Sequence, residues 1–225
     1  GVPVRVPTKA EDRFAMQPDV LESLITPRTK AIMVNSPNNP TGEVYSDEQL
    51  AAIAAIAEKH DLLVISDAVY NTLLYTGAKF RSIAELPGMK ARTVVVNSFS
   101  KSYAMTGWRI GYMIAPPAVA KLASSYQGHS TSNACSISHY ATLAAIPGHP
   151  EGLETMVDLF EQRAKLIYRL INEIPGVSCR MPGGAFYVFV NVEGLYGKKY
   201  RGQKVSGSVQ FSEVLLQEKL VAVVP

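Results

Sequence analysis

The chain has 225 residues, 47% hydrophobic and 18% charged, which is enough apolar material for one large domain or two modest ones. Its net charge of +3, with both signs interspersed and no basic block, argues against nucleic acid as a partner, and no run approaches the ~18 apolar residues of a membrane span. Two cysteines, Cys135 and Cys179, lie far apart in unrelated contexts and no signal peptide opens the chain, so a reducing, cytoplasmic setting is expected rather than a disulfide framework.

In chain order, Val2 to Val6 alternates like a short edge strand, and Pro18 to Ile25 reads as a short helix. Ala31-Ile32-Met33-Val34 is a buried strand, and Pro37 to Gly42 a turn cluster. Ser46 with Gln49 three residues on has the capping-box pattern, opening a helix to about His60 with Leu50, Ile53, Ile56 and Ala57 on its apolar side. Leu62 to Ile65 is a second buried strand, Val94 to Val96 a third apolar run and Ile110 to Ala115 a fourth. Strand, helix and strand within residues 31 to 65 read as a βαβ unit, hence an α/β fold with a mostly parallel sheet. Residues 118 to 146 look helical with a break at Gln127-Gly128-His129, and Glu151 to Ile174 forms a long amphipathic helix closed by Pro175-Gly176. Gly183-Gly184 leads into Ala185 to Val190, read as a strong strand; a Gly/Lys-rich loop (194 to 207), a helix (208 to 219) and a final strand-like run, Leu220 to Pro225, follow. A domain boundary is placed near residue 160, dividing 1–160 from 161–225. Strand-like runs at both ends suggest an internal segment of a longer protein.

In open α/β sheets, ligands bind beyond the carboxyl ends of the strands. Three segments fall there: Asn35 to Gly42 after the first strand, Asp67 and Tyr70 after the second, and Ser98, Ser100 and Lys101 after the third. One crevice can thus collect an amide, a carboxylate, a phenol, two hydroxyls and an amine. Singly, each has a plain structural reading. Asp67 suits a turn or helix cap, Asn39 ordinary turn chemistry, Tyr70 a packed ring and Lys101 a surface lysine. Ser98, Ser100 and Arg109 could be loop residues, although two hydroxyl donors and a forked guanidinium also suit a phosphate.

Together they match the needs of pyridoxal phosphate: a lysine for the Schiff base, an acid at the pyridine nitrogen and anion binders at the phosphate. Tyr70 and Asn39 could reach the ring's phenolic oxygen, and Lys101, once displaced by an amino acid, could act as general base and acid.

Three stretches then resemble a known family: Asn-Ser-Pro-Asn-Asn-Pro-Thr-Gly (35–42), Ser-Asp-Ala-Val-Tyr (66–70) and Ser-Phe-Ser-Lys-Ser-Tyr-Ala-Met-Thr-Gly-Trp-Arg-Ile-Gly-Tyr (98–112). In order and spacing they resemble class I/II aminotransferases of pyridoxal-phosphate fold type I. Gly128 to Asn133 and Val221 to Pro225 look most like the aspartate-aminotransferase-like branch, including aspartate/prephenate members. The resemblance implies that Lys101 is the Schiff-base lysine and Asp67 the partner of the pyridine nitrogen. It makes Asn39 and Tyr70 ligands of the ring oxygen, and Ser98, Ser100 and Arg109 the phosphate side. It implies a large cofactor domain followed by the start of a smaller α+β domain, and a homodimer when complete. The implied activity is amino transfer between an amino acid, aspartate or glutamate, and a 2-oxo acid. A carbon–sulfur β-lyase or a related lyase would share Lys101 and Asp67, and the non-enzymatic sensor domain of a transcription regulator is a further alternative. On this reading the glycine-rich phosphate anchor and the ring-stacking aromatic precede residue 1, and the arginine gripping the substrate carboxylate follows Pro225.

Overall fold

The computed structural model describes residues 1–75, 77–146 and 152–225. They divide into two compact units: Gly1–Glu161 with Pro182–Tyr187, and Gln162–Met181 with Val188–Pro225.

The first unit is built on a four-stranded sheet. Helix α1 (Pro18–Ser23) precedes β1 (Ala31–Asn35), helix α2 (Asp47–Lys59), β2 (Leu63–Asp67) and β3 (Thr93–Ser98). A single turn of helix, α3 (Phe99–Ser102), follows β3, and the chain returns in β4 (Gly111–Ile114). Strands β1, β2 and β3 run parallel in sequence order, and β4 pairs antiparallel with β3. The mostly parallel sheet is the one expected from the βαβ pattern.

Helix α2 starts as its sequence requires. The Ser46 hydroxyl accepts the Gln49 backbone N–H at 3.3 Å, and the Gln49 side chain accepts the Ser46 N–H at 2.8 Å, so both orphan donors are satisfied. Leu50, Ile53, Ile56 and Ala57 are buried, packed in one cluster with Ile32, Val34 and Val64 of the sheet. Each of the larger aliphatic side chains, Ala57 aside, contributes about 1.5–3 kcal/mol through burial.

Helices α4 (Pro117–Ser130) and α5 (Ser136–Ala145) complete the first unit with the start of α6 (Leu153–Asn172). The expected start of the long helix at Glu151 lies outside the described residues. In the second unit, Asn172 at the end of α6 accepts the Cys179 N–H at 3.1 Å, beside the two-residue pair β5 (Ser178–Cys179) and β6 (Val190–Asn191). A hairpin, β7 (Lys199–Tyr200) and β8 (Gln203–Lys204), and helix α7 (Ser208–Lys219) follow.

Four expectations are corrected. Val2 to Val6 forms no strand; Pro3 and Pro7 withhold backbone donors from any ladder. The break between α4 and α5 falls at Thr131 to Cys135, not at Gln127-Gly128-His129, and Ser132 turns the chain at φ +61°. A helical glycine costs only about 1 kcal/mol, so Gly128 does not stop α4. Ala185 to Val190 is not a continuous strand: Ala185 sits at φ +60°, and only Val190–Asn191 pairs. Residues 221–225 follow the left-handed Leu220 (φ +56°) without joining a sheet.

Candidate active site

The parallel register sets the strand ends level. Asn35 is opposite Asp67, and Asp67 is opposite Val96, so three chain segments leave the sheet at one edge. Alternation along the strands puts Asn35, Asp67, Val96 and Ser98 on the face away from α2.

Asn35, a residue not singled out by the sequence reading, links two of the candidates. Its side-chain oxygen accepts the Asn39 N–H at 2.7 Å, and its amide donates to the Asp67 carbonyl at 3.3 Å. Its position as the first letter of the Asn-Ser-Pro-Asn-Asn stretch was the available signal. The Asn39 side chain is solvent-exposed, on a loop closed by Gly42 N–H donating to Asn38 O at 2.9 Å and Asn38 N–H donating to Glu43 O at 2.9 Å. Glu43 is buried, and Arg13 grips its Oε2 with two donors at 2.8 and 3.0 Å.

Asp67 is half-buried. Its Oδ1 accepts the Val69 N–H at 3.1 Å, and Ala68 N–H donates to Val96 O at 2.9 Å, fixing the exit from β2 against β3. A turn follows, with Asn71 N–H on Ala68 O, and it carries Tyr70 into the interior at 3% exposure. Burial first, then the hydrogen bond to Tyr187 and the nearby Tyr187 and Asp67 charges, pushes the Tyr70 phenol above its ordinary value, so it is a proton donor across the physiological range.

Lys101 stands on α3. Its Nζ lies 4.8 Å from the Phe186 ring centroid and 5.5 Å from that of Tyr70, within cation–π range. No carboxylate pairs with it among the described residues. Tyr70 meets Phe186 edge-on (5.3 Å, 90°) and Tyr187 edge-on (5.7 Å, 83°), and its hydroxyl lies 2.7 Å from that of Tyr187. The sequence reading took Phe186 and Tyr187 for strand residues; the Gly183-Gly184 pair before them was the only hint of a close approach.

Ser98 caps α3, its Oγ accepting the Ser100 N–H at 3.0 Å. The same Oγ lies 2.8 Å from Ser100 Oγ and 3.2 Å from Ile110 O, so the two hydroxyls sit together beside the residue that follows Arg109. Arg109 has a left-handed backbone (φ +50°), and its Nη1 donates to Thr106 O at 2.8 Å. It lines an open cavity of about 740 Å³ together with Trp108, Thr131, Asn133 and Cys135. No direct bond joins its guanidinium to Ser98 or Ser100 among the described residues.

A twisted α/β sheet with a lysine, a carboxylate and a buried phenol at its strand ends belongs to a known class of proteins. The pattern of the family Aminotransferase class I and II matches residues 1–225, and the chain belongs to that family. It is 45% identical to aspartate aminotransferase of Geobacillus stearothermophilus, over all of this chain and 56% of that protein. It is 41% identical to aspartate/prephenate aminotransferase of Cereibacter sphaeroides, over all of this chain and 57% of that protein. The crystal structure of the aspartate aminotransferase from Rhizobium meliloti superimposes with a TM-score of 0.92 at 37% identity, covering 96% of this chain and 55% of that one. The fold is therefore the α/β fold of the aspartate-aminotransferase-like branch, and the chain spans about half the length of the curated relatives it matches.

Proposed function

We propose that the protein moves an amino group between an amino acid, aspartate or glutamate, and a 2-oxo acid, with pyridoxal 5'-phosphate held covalently by Lys101. The observation that carries this reading is the level register of β1, β2 and β3, which gathers Asn39, Asp67 and Lys101 at one sheet edge. Relatives named aspartate aminotransferase and aspartate/prephenate aminotransferase support the substrate class. The donor set fits the cofactor. Lys101 Nζ faces aromatic rings rather than a carboxylate, and only one Asp67 oxygen is engaged by a hydrogen bond among the described residues.

Bound there, the cofactor supplies an electron sink that stabilises negative charge on the carbon bearing the amine. Asp67 would be the acid partner of the ring nitrogen. Tyr70, held protonated by burial, would donate to the ring oxygen, with the Asn39 amide as a second donor. Ser98 and Ser100 present paired hydroxyls, and Arg109 a guanidinium, to the phosphate. Lys101, when not bonded to the group, would be the amine placed to take up and give back a proton at the reacting carbons, as base and then acid. The Phe186 and Tyr70 rings lie beside the Lys101 nitrogen within cation–π range.

Residues 1–160 are proposed as part of the cofactor domain and 161–225 as part of the smaller domain of a cytoplasmic homodimer. The test is product analysis of the complete protein loaded with cofactor and supplied with aspartate and 2-oxoglutarate. A new amino acid and a new oxo acid in equal amounts are expected, and the Lys101→Ala variant should make neither. Pyruvate and ammonia from a β-substituted amino acid, without transfer, would reassign the protein to the lyases.

A further inference from the structure

The segment Pro182–Tyr187 is fastened to the sheet edge from several directions. The N–H groups of Gly183 and Gly184 both donate to Gly42 O, at 2.8 and 2.9 Å. Tyr75 N–H donates to Gly183 O at 2.8 Å, Ala185 N–H donates to Leu73 O at 2.9 Å, and the Tyr75 hydroxyl bonds the Ala185 carbonyl. Contact is close enough to require glycine twice. A Cβ on Gly42 (φ +70°) would lie 2.5 Å from Pro182 Cβ, and one on Gly184 would lie 2.6 Å from Leu73 O. Ala185, fully buried in a left-handed conformation (φ +60°), turns the chain so that the next two side chains meet Tyr70.

The result is a phenol pair. The Tyr70 and Tyr187 hydroxyl oxygens are 2.7 Å apart, with the rings nearly perpendicular. Each hydroxyl has one proton and two lone pairs, so only one of the two protons occupies the bond between them. Resting on the reading above, we infer that Tyr187 is a positioning residue of the site: its hydroxyl holds that of Tyr70 in place, and donates into it when Tyr70 gives its own proton bond to an anionic ring oxygen. Hydrogen bonds in such a chain polarise one another, so the second phenol strengthens donation by the first. Burial of the Tyr70 ring, at 3% exposure, keeps water from substituting for Tyr187.

The test uses the complete, cofactor-loaded protein with Tyr187→Phe, which keeps the ring and its edge-on packing and removes only the hydroxyl. The readout is the pH at which the long-wavelength absorption band titrates. Weaker donation from Tyr70 stabilises the deprotonated chromophore less, so the midpoint should rise by about half a pH unit, the effect of weakening one hydrogen bond. Tyr70→Phe should raise it further, and adding Tyr187→Phe to Tyr70→Phe should then change nothing, because the route through Tyr70 is gone. No shift in the single variant, or the same shift with and without Tyr70, overturns the inference while leaving the proposed function standing. A band that survives Lys101→Ala overturns the covalent reading and this inference with it.

Discussion

On the face of the sheet that meets α2, Ile32, Val34 and Val64 are no more than 5% exposed, whereas on the opposite face Met33 is 65% exposed and Val96 39%. The same strands supply both sets, since successive side chains point to opposite sides. The covered face fixes the register: a one-residue slip would turn Val34 and Val64 out of the α2 cluster. The open face shares that register, and Asn35, Asp67 and Ser98 lie on it at the strand ends. The deepest burial thus lies on one side of the sheet, and the proposed site at the strand ends of the other.

The contrast can be broken at either side. Asp67→Asn keeps the acceptor for Val69 N–H and removes the charge, so turnover should fall by about 10²–10³-fold, as when a preorganised electrostatic partner is lost. The urea midpoint should stay put; a large stability loss would mean that Asp67 belongs to the scaffold. Ile53→Ala, at a side chain 1% exposed in the α2 cluster, should cost about 2–5 kcal/mol in urea unfolding, with the folded fraction still binding cofactor.

Covered and open surface also separate the two thiols. Backbone N–H groups of Ser138 and Ile137 hold exposed Cys135 below the usual thiol range, while burial pushes Cys179 above it. A lowered value means more thiolate at a given pH, so iodoacetamide should label Cys135 first, with its rate rising at lower pH than that of Cys179. Peptide mapping that found Cys179 labelled first would contradict this. The smallest effect is expected at Met33→Ala on the open face, within about 0.5 kcal/mol of the parent by urea unfolding. A loss comparable with that of Ile53→Ala would show that something covers this face.

Where local chemistry decides, the sequence was readable. The Ser46–Gln49 box, the 3.6-residue spacing of Leu50, Ile53 and Ala57, and the apolar strand runs carry their structure in their spacing. That the segments carrying Asn39, Asp67 and Lys101 leave the sheet at the same strand ends followed from strand order. Less readable were features made by distant partners. Ala185 to Val190 has strand composition, yet backbone bonds of Gly183, Gly184 and Ala185 to Gly42, Leu73 and Tyr75, more than a hundred residues earlier, hold its start in another conformation. For the same reason Phe186 and Tyr187 could not be assigned to the site in advance. Asn35 escaped notice because its contribution is two hydrogen bonds to neighbours, which composition does not reveal. Arg109 is expected on the phosphate side with Ser98 and Ser100; in the structure its Nη1 also donates to Thr106 O.

The proposed covalent attachment of the cofactor to Lys101, rather than to another lysine, is open to direct chemical test. The most direct measurement is borohydride reduction of the complete protein loaded with pyridoxal 5'-phosphate, followed by peptide mapping of the adduct. A single reduced adduct on Lys101, lost together with the long-wavelength band in Lys101→Ala, is the expected result. An adduct on another lysine, or a band and transaminase activity that persist in Lys101→Ala, would contradict it.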